Sequence, residues 1–508
     1  MKSKYIIAAG LMSMTFASCK KNFLDIPPTA SISTVTFYKT ASDFQQAVVG
    51  TYAPLNALYG NSTTLPTQPD AGDWTLGELR SDNTGFIFSV ANRGFPTFEQ
   101  ADQFLDDGNN VAVTNKYSSD YTIIGRANQV LANIDAANID ATLKSTYKGE
   151  ALFLRAFAYF DLVQYFGDVP LNLTPVTNIA QTQVPRNAIA QVYSQIIADA
   201  KLATTLLPKK ASAEVGHVTA NTANMLLGNV YIVLKQWPNA ETVLQAIVSS
   251  GEYSLLGDYS AIFSNSNKNN AESLFEVQYT ADPTQTGLLN GFGYEFLPAL
   301  PNPNVIPGYP SSSSNTFGNW NLPTPDLINA YEPGDKRQAA NIAYVTVGGI
   351  TYPYLKKYIQ GASIYPFTSD DWQVYRYAEV LLFLAEAYNE DNKTSQAIPL
   401  INQVRARAGL AGVAVTDQAG LRTTIQHERQ VEFAGENKRW KDLLRTGSAI
   451  TVMNAQAAKI RANPTAYYYP AGVPPVPAAY NVTSTRLLLP IPNTEIQLDP
   501  LIKQNPGY

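Results

Sequence analysis

The sequence predicts a mainly α-helical fold of tetratricopeptide-like helix pairs, an α–α superhelix, joined to a loop-rich half. Three observations predict it. Apolar residues recur at helical spacing through several long stretches of the 508-residue chain. Two segments repeat one helix–turn–helix design. Two further long stretches lack periodicity yet are crowded with aromatic side chains, which argues against simple disorder.

The elements follow in chain order. Lys2 and Lys4 precede "YIIAAGLMSMTFA" (5–17), an apolar run shorter than the about 20 residues that span a bilayer. Ala17 and Ser18 then stand before Cys19, the only cysteine. This order of charge, apolar run and small-residue cut site predicts a secretory signal over residues 1–18. In bacterial lipoproteins the first residue after the cut is a cysteine that receives a diacylglycerol, and two or three acyl chains hold far better than one. Cys19 is therefore the expected lipidation site. The competing reading, a buried structural thiol, has no fold upstream to bury it. Residues 19–40 read as the lipidated N-terminus and an extended leader, with Pro27 and Pro28 barring helix. A single body is expected over 41–508.

In that body Ser42 and Gln45 predict a capping box, ahead of Phe44, Val48 and Leu55 at helical period. Tyr117, Tyr121, Ile124, Leu131 and Ile134 share one face of a second helix. Leu154, Phe157, Ala158 and Leu162 stripe a third, stopped by Gly167 and Pro170. Helix-pair units fall near 186–251 and 374–410, turning at "KQWPNA" and "NEDNKT". In each, a tyrosine (Tyr231, Tyr388) comes late in the first helix and an alanine (Ala240, Ala397) opens the second. Small facing residues let paired helices approach closely, as in arrays that stack into a solenoid. Generic antiparallel pairs are the alternative for so short a period. The irregular regions lie near 72–100 and 281–325, the second holding Phe292, Tyr294, Phe296, Tyr309, Phe317 and Trp320.

Composition bounds the function. The net charge is −5, or −7 once Lys2 and Lys4 leave with the signal, and no basic block suggests a nucleic-acid partner. Aromatics make up 11% of the chain, with 30 tyrosines, more than a core needs and suited to flat, partly apolar ligands. Glu428, Glu432 and Glu436 recur every fourth residue, and carboxylate pairs about 5 to 9 Å apart run glycosidases. Here Arg429, Lys438, Arg439 and Arg445 alternate with them, which predicts a salt-bridged helical segment without chemistry. His217 and His427 have no metal-ligand spacing around them. No G-x-S-x-G elbow, P-loop or Rossmann glycine pattern is present. The expectation is a non-enzyme with no catalytic residue, metal or cofactor.

Several segments, taken in order, resemble one family nearly end to end. They are Cys19 followed by "NFLDIPP", "LRSDN" (79–83), "GEALFLRAFAYFDLVQYFGDVPL" (149–171) and "PTPDLINAYEPGDKR" (323–337), then "YRYAEVLLFLAEAYNE" (375–390), "IQHERQVEFAGENKRWKDLLRTG" (425–447) and "LLLPIPNTEIQLDPLIKQNPGY" (487–508). The chain resembles the SusD/RagB family of outer-membrane nutrient-binding lipoproteins. The resemblance implies a helical body with a loop-rich ligand-binding half, anchored in the outer membrane and exposed at the cell surface. It also implies a partner, a SusC-like TonB-dependent transporter facing the helical half, to which oligosaccharides or, in some members, peptides are delivered.

A pyranose ring offers a C–H face to an aromatic ring and a hydroxyl rim to amides and charged groups. "GNWN" (318–321) combines these, with Trp320 as platform and Asn319 and Asn321 as bidentate partners. The resemblance adds Tyr294, Phe296, Arg80, Asn83 and Phe86 as candidate ligand contacts. Two readings compete with this. Trp320 could instead cover a hydrophobic edge, and Phe86, with Phe88, Phe95 and Phe98, could pack the core. Three functions remain open at this stage: a glycan receptor, a peptide-binding member of the same family, and a secreted glycoside hydrolase.

Overall fold

The first helix, α1 (Ala41–Tyr52), starts where Thr40 accepts a hydrogen bond from the Asp43 N–H and Asp43 accepts one from the Thr40 N–H. This corrects the expected Ser42–Gln45 box by two residues. Thr40 has the extended backbone an N-cap needs, whereas Ser42 already lies inside the helix and takes a 3.2 Å bond from Gln46. Leu55 falls in a separate turn, Pro54–Tyr59, because Pro54 has no N–H with which to continue α1.

The computed structural model describes residues 37–60, 72–88, 96–282, 284–285, 288–299, 306, 318–359 and 367–508. Cys19, the signal and most of the leader lie outside the described residues, as do Phe95, Tyr309 and Phe317. The fold is mainly helical. Its longer helices are α2 (Val111–Ile134), α3 (Ala141–Phe166), α4 (Ile189–Leu206), α5 (Ala220–Val233), α6 (Trp237–Ser250), α7 (Tyr377–Glu390), α8 (Thr394–Arg407), α9 (Gln418–Glu432), α10 (Arg439–Thr446) and α11 (Ala449–Ala462). From α1 to α8 each packs on the next, and α9 closes the stack against α7 and α8. The arrangement is that of a tetratricopeptide-like superhelix.

Helix α3 is buried all round from 149 to 163, so it forms the axis of the stack rather than an amphipathic surface helix. Its one arginine in that span, Arg155, makes a bidentate pair with Asp199 of α4 at 2.7 and 2.8 Å. Gly167, at φ +73°, ends the helix where the sequence predicts a stop. Helices α5 and α6 meet at a glycine: a Cβ on Gly228 would stand 2.4 Å from Leu244 Cδ2 and 2.7 Å from its Cγ. Gly228→Val is therefore expected to lower the unfolding free energy by about 1–3 kcal/mol through overpacking. Urea unfolding of the variant measures this, and an unchanged midpoint would refute the close approach.

The stack is continuous in space but not in sequence. After α6 the chain leaves it and returns at α7. Strands β1 (Thr84–Gly85), β2 (Ser273–Val277), β3 (Leu322–Pro323), β4 (Ile342–Val347), β5 (Ile350–Leu355) and β6 (Trp372–Arg376) form three antiparallel two-stranded ribbons. The β2–β6 ribbon, with Ser273 opposite Arg376 and Val277 opposite Trp372, joins the departing and returning chain. Across this break Lys393 binds Glu241 at 2.5 Å and the Tyr388 hydroxyl donates to Gln245 at 3.1 Å, fastening α6 to the following pair. Among the described residues no helix is long and apolar enough to cross a membrane.

Candidate functional site

The two irregular regions of the sequence meet. Thr84 pairs with Pro323 and Gly85 with Leu322 in the β1–β3 ribbon. The Ile87 N–H donates to the Asn319 carbonyl at 2.9 Å, and the Thr324 hydroxyl donates to the Asp82 carbonyl at 2.6 Å. Around this ribbon the rings form a floor of two packed sets within one buried core. Trp74 stacks on Phe98 at 5.3 Å and Phe98 on Trp320 at 4.4 Å, while Phe296 meets Trp74 edge-on at 5.0 Å. Phe86 meets Phe88 edge-on at 5.3 Å, and Phe88 stacks on Tyr469 at 3.8 Å.

All eight candidate contacts are buried. Trp320 is 1% exposed, its face covered by Phe98. Asn319 and Asn321 have φ +72° and +62°, the left-handed conformation that asparagine tolerates better than most residues. Their side-chain oxygens serve the turn: Asn319 accepts from the Ala299 N–H at 2.7 Å and Asn321 from the Thr84 hydroxyl at 2.5 Å. Arg80 pairs with Asp106, donates to the Arg486 carbonyl at 3.0 Å and lies 4.3 Å over the Phe104 ring. Asn83 donates to Glu78 at 2.9 Å and accepts from Gln430 at 3.0 Å. Glu78 is itself pushed up to about 7 by burial, against the bonds it accepts from Asn83, Gly435 and Asn437. Tyr294 packs with Leu297, Ile306, Val345 and Tyr354, and Phe296 with Trp74 and Tyr358. In this conformation these residues hold up the face rather than present it.

The β4–β5 hairpin presents a ring that the sequence reading missed. Gly348 and Gly349, both at positive φ, make its turn, and the signal was in "YVTVGGITY", a Gly–Gly step between β-formers. Val345 and Tyr354 face inward onto Tyr294. On the other face Tyr344 is 55% exposed, next to a Thr346–Thr351 hydroxyl pair at 2.9 Å. Among the described residues it is the aromatic most open to solvent.

Glu428, Glu432 and Glu436 are buried, and their partners are not the alternating cations expected from the sequence. Arg337 binds Glu428 at 3.0 Å and Glu432 at 3.1 Å. Arg376 binds Glu432 at 2.5 Å and Glu436 at 2.7 Å; Lys357 binds Glu436 at 2.8 Å; Arg407 and Arg405 complete the set on Glu432 and Glu428. Arg429 pairs instead with Glu379 and Asp442, Lys438 with Glu379, Arg439 with Asp82, and Arg445 with Glu386 and Asp442. Burial alone would raise the Glu432 carboxyl, but Arg407, Arg376 and Arg337 together hold it well below the usual range. A general acid needs a raised pKa and access to a substrate, and this carboxylate has neither.

A cavity of about 380 Å³ opens between α1 and β2, lined by Tyr52, Leu55, Val215, His217, Phe275 and Gln278. Its polar groups are used internally: His217 Nδ1 lies 2.7 Å from Glu150, and the Tyr52 hydroxyl donates to the same carboxylate at 2.8 Å. Such a wall gives a hydroxyl-rich ligand little to bind.

Comparison with known proteins agrees with this architecture. A model of the SusD family matches residues 337–508, and one described as starch-binding, associating with outer membrane, matches 29–232. The chain belongs to the SusD-like family. SusD-like protein P2 of Formosa agariphila is 26% identical, over 99% of this chain and all of that one. A solved laminarin-binding SusD-like protein superposes with a TM-score of 0.75 at 25% identity, covering 93% of this SusD-like chain and 100% of its own. A SusD homolog from Bacteroides thetaiotaomicron gives 0.78 at 20% identity, over 94% and 98% of the two chains.

Proposed function

We propose that this SusD-like protein is a glycan-binding lipoprotein, lipidated at Cys19 and held at the outer-membrane surface. It captures oligosaccharides on its loop-rich face and passes them to a SusC-like TonB-dependent transporter that meets the helical stack. The observation that carries the reading is the convergence of two aromatic-rich loop regions on one face, in a chain of this family. The laminarin-binding protein of the same fold supports a glycan as cargo. The buried candidates Trp320, Asn319, Asn321, Tyr294, Phe296, Arg80, Asn83 and Phe86 act as the floor of that face. The open ring of Tyr344 is a contact on it.

Calorimetric titration of the chain after Cys19 against laminarin, starch and other polysaccharides tests this. Binding to at least one glycan is expected, weakened about tenfold by Tyr344→Ala, as suits the loss of one stacked ring. Heat from peptides and none from any glycan would overturn it.

A further inference from the structure

The cavity between α1 and β2 has a volume of about 380 Å³, within the range of small-molecule pockets. Three rings stand around it. His217 and Phe275 lie 5.3 and 6.5 Å from the Tyr52 ring, inclined to it by 57° and 62°. Phe275 is fixed from behind by Phe153 and Phe157 of α3, edge-on at 5.8 and 6.1 Å. Leu55, Val277 and Leu288 extend the apolar wall. Val49 and Val215, 49% and 77% exposed, also line the cavity, so its entrance is as apolar as its interior.

The polar side chains of the wall are already engaged. Asn56 donates to the Gln278 carbonyl at 3.2 Å, and the Gln278 and Asn269 amides exchange bonds at 3.0 and 3.1 Å. Glu276 accepts from Gln373 and from the Asn269 N–H. Glu150 takes the Tyr52 hydroxyl and holds His217 Nδ1 at 2.7 Å.

A sugar would find its hydroxyls unmatched on such a wall. An anion would meet the carboxylates of Glu276 and Glu150, and an ion of either sign would shed water without gaining a partner of its own. A flat apolar ring can instead pack edge-on to one of the three rings and face-on to another. An apolar cavity of about 150 Å³ takes benzene, so this one has room for two fused rings. We propose that the cavity is a second binding site, for an uncharged aromatic molecule of one or two rings. None of its lining residues belongs to the ring floor at the β1–β3 ribbon, so the site stands apart from glycan capture.

His217 and His427 are the only histidines, so their ring signals report on the test. Nuclear magnetic resonance of the mature chain, residues 19–508, follows them while indole is added, and His427→Gln assigns the two. The His217 signals should shift and saturate by about 1 mM indole, while those of His427 stay still. Indole-3-acetate and tryptamine, the anionic and cationic relatives, should bind at least about tenfold more weakly. Val49→Trp, which narrows the entrance from an exposed helical position, should weaken indole about tenfold and leave unfolding and glycan titration unchanged. Ala53→Trp, at another exposed lining position, takes its place should Val49→Trp unfold the protein. No saturable shift, equal shifts at both histidines, or indole binding that survives in the folded tryptophan variant would overturn the proposal. A charged relative that binds as tightly as indole would overturn the ligand class.

Discussion

Trp320→Ala is expected to destabilise the protein by about 3–5 kcal/mol, the usual loss when a buried tryptophan is truncated. The ring is 1% exposed and stacks at 4.4 Å on Phe98, which stacks on Trp74 in turn. Removing it opens a cavity under the β1–β3 ribbon and deprives Phe98 of a face, each stacked pair adding about 0.5–1.5 kcal/mol beyond its area. Thermal unfolding should shift down by several degrees, and any weaker glycan binding should follow from that loss. The opposite pattern, an unchanged unfolding curve with abolished glycan binding, would return Trp320 to the role of an open platform.

Arg376→Met should cost about as much, roughly 3–5 kcal/mol, because it strands charges rather than packing. Arg376 sits at the junction of β6 and α7 and reaches Glu272 at 3.0 Å, Glu432 at 2.5 Å and Glu436 at 2.7 Å, all three carboxylates buried. The sign of the pH dependence follows from direction. Burial opposes ionisation of Glu432 and Glu436, yet the surrounding cations depress both in the folded state. Their contribution is complete above the unfolded carboxyl value, about 4.3, and is lost as pH falls through the lower folded one. The wild type should therefore weaken in acid, and the gap between it and Arg376→Met should narrow near pH 3. Urea midpoints near pH 7 and pH 3 measure this, and a gap that widens in acid would contradict the assignment.

Local patterns were legible in the sequence. The pairs α5/α6 and α7/α8 are written in a 3.6-residue period with buried alanines at Ala240 and Ala397, and Gly167 marks the end of α3 by its own conformational freedom. What depended on distant chain was not legible. Glu428, Glu432 and Glu436 lie beside their own cations in sequence, yet Arg337 and Arg376 come from other elements and take them. In the sequence Trp320 reads as an open platform because nothing near it announces that Phe98 covers its face. Asn319 and Asn321 flank it as ligand amides would, but their positive φ values show turn residues. The cap moved by two residues because the hydroxyls of Thr40 and Ser42 can each accept as an N-cap does, and only the backbone distinguishes them.

The β2–β6 ribbon has a consequence for how such a chain can diverge. Because it sets the departing and returning chain side by side, the excursion between them is a closed loop whose ends are already held. Loop closure entropy grows only as the logarithm of length, about 0.6 kcal/mol for each doubling. Insertions or deletions between Val277 and Trp372 that spare Arg337 and Lys357, which hold the buried glutamates at α9, therefore trouble the α6–α7 seam very little. The helical stack can stay as a constant chassis while the segment proposed here to face the cargo lengthens, shortens or changes its chemistry, one ligand giving way to another.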